Sequence, residues 1–204
     1  GEEGEGGADR DMTAWEILKE PGFLSFCVVL FVFAGCLWIP MTFIANYATK
    51  DAGLSANDAA ALVSYTGVAS TTGRVAFGRL SKWIPQLVLL QGSVLVSGLA
   101  ILLLGVAPPS YFVLALHAIL FGFFSGSTIA LLAPIIIGLV GLRNLPVAFG
   151  IAACVQAPGV LIAPPLGGAL RDATGVMTWT FIVPGAMMVL SSALVWAIPA
   201  PRHS

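Results

Sequence analysis

The sequence predicts an all-α membrane protein with six transmembrane helices, and three observations carry that prediction. The chain is 58% hydrophobic and only 9% charged, against roughly 25% charged residues in ordinary soluble domains. The charge is also unevenly placed. Seven of the ten acids lie before Pro21, leaving Asp51, Asp58 and Asp172 for everything beyond. Three acids and a few bases cannot cover the surface of a soluble fold of 204 residues, so lipid is the expected solvent. Finally, apolar runs of roughly 20 residues, enough to cross hydrocarbon as a helix, recur six times.

The first run, 22–47, is "GFLSFCVVLFVFAGCLWIPMTFIANY"; the second, 58–81, is "DAAALVSYTGVASTTGRVAFGRLS". The third covers 84–106, the fourth 110–139, the fifth 146–170 and the sixth 176–199. The second is the least apolar, so it is expected to be shielded from lipid. Helices are required because an unpaired backbone group in lipid costs several kcal/mol. Short turns rich in Pro and Gly separate them: "KDAGLSAND", "KWIP", "APPS", "GLRNLP" and "DATG". Asn57 and Asp58 are candidate caps of the second helix, and Asn144 of the fifth. The Gly-rich acidic opening is too polar to bury anything. Residues 1–20 are therefore expected to be a disordered acidic cytoplasmic linker, and 21–204 the six-helix bundle. No signal-peptide pattern opens the chain, which starts on Gly rather than Met and is expected to belong to something longer.

With six spans both ends share a side, and Arg10, Lys19, Arg79, Lys82, Arg143 and Arg202 fall on it; Lys50 and Arg171 fall opposite. That bias predicts both ends in the cytoplasm. Cys27, Cys36 and Cys154 lie in apolar runs without CxxC spacing and read as small buried hydrophobes. No Ser/His/Asp set, paired carboxylates, HExxH or Walker loop appears, and no basic aromatic stretch suggests nucleic acid. An enzyme, a metal and a cofactor are not expected.

Helices in lipid associate through close packing, because hydrophobic burial no longer drives it. Gly122 and Gly126 form a GxxxG step, and Gly67, Ala69 and Gly73 offer a similar small-residue face on the second span. Pro40, Pro134, Pro158, Pro164, Pro165 and Pro184 interrupt spans. They are either tolerated breaks or kinks in helices that line a cavity.

Arg74 is the outstanding residue. On a 3.6-residue wheel, Ser64, Gly67, Ser70 with Thr71, Arg74, Gly78 and Ser81 share one stripe of the second span. Arg74 lies roughly 12 Å from the cytoplasmic end, counting rise to Lys82. Its side chain either snorkels or ties down carbonyls, or it faces water and pairs with an anion. A guanidinium stays protonated and offers two parallel donors that match a carboxylate. His117 is a candidate proton-coupling group or a packing residue. Gln156 and Asn46 are candidates for hydrogen bonds to substrate or to neighbouring helices.

"SYTGVASTTGRVAFGRLSKW", "GLRNLPVAFG" and "APPLGGALRDATG" resemble the C-terminal half of the monocarboxylate transporter family within the major facilitator superfamily. The resemblance covers most of Pro21 to Pro199. It implies the C-terminal six helices of a twelve-helix major facilitator fold, whose two bundles bind substrate near the midplane between them. It also implies a missing N-terminal half, a small organic anion as substrate, a single-span accessory glycoprotein and the plasma membrane. Substrate-binding residues would be Arg74, Ser70, Thr71, Gln156 and Asn46. Proton-coupled members performing symport carry an Asp four residues before this Arg; here Ser70 stands there and cannot take up a proton at physiological pH. Lys82 in "GRLSKW" stands where the superfamily's basic loop has an Asp. Two other readings remain: a non-transporting six-helix scaffold or receptor-like module, and a facilitative carrier of amino-acid-like or zwitterionic solutes. A half-transporter that dimerises is a further variant.

Overall fold

A computed structural model describes residues 11–198. Among them are seven α-helices: α1 (Ala14–Lys19), α2 (Pro21–Lys50), α3 (Ala56–Leu80), α4 (Gln86–Val106), α5 (Tyr111–Val140), α6 (Leu145–Thr174) and α7 (Thr178–Leu194). A 3-10 turn, Val195–Ala197, follows α7. The six long helices coincide with the six apolar runs. By length and apolarity, four of them (α2, α4, α5 and α6) suffice to cross a membrane. That is fewer than the six expected. α3 carries Asp58, Arg74, Arg79 and many hydroxyls, and α7 stops after 17 residues where the chain tightens into the 3-10 turn.

Three local expectations need correction. First, the second half of the supposed disordered linker is ordered; residues 1–10 lie outside the described residues. Thr13 and Glu16 form a reciprocal capping box at the start of α1, and Ile17 is fully buried. One apolar anchor and two satisfied end donors hold a helix too short for periodicity to reveal. Second, α3 is capped by Ser55, whose hydroxyl accepts from Asp58 N–H, so Asn57 and Asp58 fall inside the helix. Asn144 occupies the N-cap position of α6 without bonding its first turn. Third, Cys27 and Cys36 are buried as expected, but Cys154 is exposed on α6.

Glycine organises the packing, in three helix pairs. α4 meets α7 antiparallel: Cβ atoms added at Gly98 and Gly185 would lie 2.9 Å from Val189 N and 2.9 Å from Leu102 N respectively. α2 meets α6 running in the same direction, with Gly159 against Phe31 and Gly35, and Gly167 against Phe43. α3 meets α5, also in the same direction, through Gly73, Gly122 and Gly126. Two hydrogen bonds join α4 to α5: His117 Nδ1 to the Ala100 carbonyl at 2.7 Å, and Ser93 to Ser127 between hydroxyls at 2.7 Å. Tyr47 links α2 to α4 and α7, donating to the Leu104 carbonyl and meeting Phe181 edge-on.

These seams predict different responses to the same kind of change. Gly126→Val should lower thermal stability by about 1–3 kcal/mol through overpacking, because its β-carbon meets the Ser70 backbone at 2.5 Å. Gly92→Ala, in a helix with open space around it, should be neutral or gain up to about 1 kcal/mol from propensity. Thermal unfolding of the purified variants in detergent measures both.

Candidate functional site

The face that α3 turns to α5 fixes the face it turns away. Leu62, Thr66, Gly73 and Phe77 are buried along one side of α3. At Gly73 a side chain would collide with the Phe123 carbonyl, and at Gly122 it would lie 2.5 Å from the Thr66 carbonyl. Backbone therefore touches backbone, and neither helix rotates without opening the seam. Phe77 wedges between Phe123 and Phe124, edge-on to both with ring centroids 5.8 Å apart. Arg74 sits between two of these anchors, Gly73 and Phe77, and is exposed on the adjoining face.

At about 100° per residue, Arg74, Gly67, Gly78, Thr71 and Ser64 fall within a sector of roughly 80°, and all are exposed. Beyond it lies a second exposed sector with Val75, Val68 and Tyr65. Three hydroxyls on the exposed faces of α3 are turned back onto their own helix: Ser64 donates to Ala60, Thr71 to Gly67 and Thr72 to Val68. The guanidinium behaves differently. Among the described residues it makes no ion pair or hydrogen bond, whereas Arg143 pairs with Asp11. A charge at such depth is costly against lipid, by about 2.5–3.5 kcal/mol at a helix centre on insertion scales. The sector it occupies therefore suits water, protein or an anion rather than hydrocarbon.

The other candidates divide by position. Ser70 is half-buried at the seam, where its hydroxyl would lie 2.5 Å from a β-carbon on Gly126. It borders the Arg74 sector but also serves as packing. Gln156 on α6 is half-buried and donates through Nε2 to the Ala152 carbonyl. Counting 1.5 Å per residue from the helix ends puts Gln156 within roughly 7 Å of Arg74 in height. The same count puts Asn46 roughly 20 Å away, near the far end of α2. His117 is offset by a similar amount, fully buried, stacked on Phe121 and bonded to α4. The structure thus gathers Ser70 and Thr71 around Arg74, sets Gln156 at its level, and leaves Asn46 and His117 apart. Gly67, expected both on a packing face and on the Arg74 stripe, has open space around it and belongs to the exposed sector.

The profile of the Major Facilitator Superfamily matches residues 26–204. Monocarboxylate transporter 4 of Mus musculus is 32% identical over 182 residues, covering 88% of this chain and 38% of that protein. Monocarboxylate transporter 3 of Rattus norvegicus is 34% identical over 192 residues, with 91% and 38% covered. Monocarboxylate transporter 12-B of Danio rerio is 28% identical over 198 residues, with 95% and 41% covered. The chain spans about two fifths of the length of the curated relatives it matches.

If the polar sector meets water, its positions should differ sharply in chemistry. In a cysteine-free background, Gly67→Cys and Thr71→Cys should react with a membrane-impermeant charged thiol reagent. Phe77→Cys, wedged into the aromatic cluster, should stay protected. Equal protection at all three positions would show a sealed stripe.

Proposed function

The chain belongs to the Major Facilitator Superfamily, and from that premise we propose that it is part of a secondary transporter of small monocarboxylates or related organic anions. Alternating access moves the solute, and Arg74 binds its carboxylate. All six long helices span the bilayer and form the C-terminal half of a twelve-helix fold. The polar face of α3 is turned to the path shared with the N-terminal half, and both ends of this segment are cytoplasmic. The plasma membrane and a single-span accessory glycoprotein follow from the same resemblance. No enzymatic step belongs to this reading.

One observation carries it: a permanent cation on an exposed polar sector, without an acidic partner among the described residues. Asp51, Asp58 and Asp172 are the acids beyond Pro21, and none lies on α3 near Arg74; Asp58 is taken up by Ser55 at the start of the helix. Desolvating an unpaired guanidinium is unfavourable, and a carboxylate meeting it through two parallel N–H···O bonds offsets that cost. The relatives support the class of solute through their names as monocarboxylate transporters.

Thr71 and Gln156 are proposed as hydrogen-bonding groups beside the carboxylate. Ser70 contributes shape, and its hydroxyl cannot take up and hold a proton at neutral pH as a carboxylate would. The geometry of His117, with Nδ1 donating to a backbone carbonyl inside the α4–α5 pair, favours a helix-bridging role over proton coupling. Asn46 would meet solute only near the far end of the path.

Two substitutions test the proposal in the full-length protein. Arg74→Gln should cut carboxylate uptake by at least about 100-fold, in line with losing about 3 kcal/mol from a charged, partly desolvated pair. Arg74→Lys keeps the charge but not the fork and should retain partial uptake with a raised KM. Unchanged uptake in both variants removes Arg74 from the site. Uptake absent in the parent protein favours the scaffold reading.

A further inference from the structure

The ten described residues before α2 do more than lead into it. Asp11 pairs side-on with Arg143, Oδ2 accepting from Nη2 at 2.8 Å and Oδ1 meeting Nε. Met12 N–H donates to Asn144 Oδ1 at 2.8 Å, and Asn144 Nδ2 donates to the Val140 carbonyl at 2.8 Å. Asn144 is buried, and its side chain serves this long-range contact instead of capping α6. Ile17 is buried and Met12 packs on the core from the same segment. A polar clasp and an apolar plug thus hold the start of the described chain against the α5–α6 turn, 132 residues away in sequence.

The turn being held is a sharp one. Gly141 has φ of 84°, which only glycine adopts at little cost, and α6 begins four residues later at Leu145. α6 is also thinly buried for a helix of 30 residues. Only five of its residues are buried (Ala148, Ala152, Gly159, Ala163 and Gly167), as one narrow seam, and Pro158, Pro164 and Pro165 interrupt its internal hydrogen bonding. Beyond those prolines α6 is fixed by a hydrogen bond from Thr180 of α7 to the Gly167 carbonyl, so the half before them takes its alignment from its seam and its starting end. The end at the α5–α6 turn is the one the clasp grips.

We propose that residues 11–20 form a latch that restrains the start of α6, with Asp11–Arg143 and Met12–Asn144 as its two catches. Closed, the latch ties the approach to α2 to the α5–α6 turn, so that α2, α5 and α6 move together. Open, α6 is free to shift on its glycine seam. The inference does not rest on the transport reading, since a bundle that carried no solute would show the same restraint.

Hydrogen–deuterium exchange of the full-length protein in nanodiscs tests it, comparing the parent with Arg143→Gln, Asn144→Ala and the charge swap Asp11→Arg/Arg143→Asp. Each single variant should speed exchange of peptides covering 11–20 and of the first turns of α6 by roughly five- to tenfold, as expected from losing one or two hydrogen bonds. Peptides from the α4–α7 seam should be unchanged, which shows that the bundle remains folded. The charge swap should restore most of the protection. Faster exchange in 11–20 alone, with α6 unaffected, would make the segment a docked tail and overturn the latch. Unchanged exchange in both regions, or no rescue by the swap, would overturn it equally.

Discussion

The contact of backbone with backbone between α3 and α5 is the constraint on which the site depends. In lipid, two helices gain little from burying apolar side chains against one another, so association rests on how closely they approach. Gly73, Gly122 and Gly126 remove the side chains that would hold these two apart, and Phe77 locks the rotation by seating between Phe123 and Phe124. Once that side of α3 is committed, the direction of Arg74 is no longer free. The residue before it and the residue three after it are both pinned, and the guanidinium is left on the adjoining exposed face. The electrostatics of the site are a consequence of steric fit.

The same logic separates the rigid part of the molecule from the part poised to move. α4 and α7 interlock through glycines from both helices, α5 is hydrogen-bonded to α4, and Tyr47 ties α2 to α4 and α7. α6 has a narrow fully buried seam, mainly on α2, one hydrogen bond from Thr180 of α7 to its Gly167 carbonyl, and its hold at the α5–α6 turn. A bundle with one loosely held helix beside a fixed polar face has the asymmetry that shifting between two arrangements requires, because well-packed seams are bistable rather than continuously deformable.

Much of this was legible in the residues, and the failures have physical causes. Hydropathy located the six long helices, because a run of about 20 apolar residues has few alternatives to a helix in lipid. The GxxxG step at Gly122 and Gly126 was readable as a contact, and Arg74 stood out because charge inside an apolar run is rare. Spacing alone could not tell which side of α3 faces a partner, so Gly67 suits a packing face as well as the polar stripe, and only the backbone geometry puts it on the exposed one. Caps were misplaced because Ser55, Asn57 and Asp58 are all suitable residue types, and only the backbone decides which one stands at the boundary. α1 escaped notice since its stability comes from a capping box and a single buried Ile17, too little for a periodic signal. The separation of Asn46 and His117 from Arg74 could have been anticipated by counting helical rise along spans of alternating direction. Asn144 could not, since its partner Met12 is distant in sequence.

Equilibrium binding of a labelled short-chain monocarboxylate to the purified full-length protein, beside its neutral amide, tests the central claim most directly. An unpaired guanidinium that receives a carboxylate predicts saturable binding of the acid, weak binding of the amide, and loss of that preference in Arg74→Gln. Acid and amide bound equally well by the parent protein, or an acid preference that survives in the variant, would contradict it.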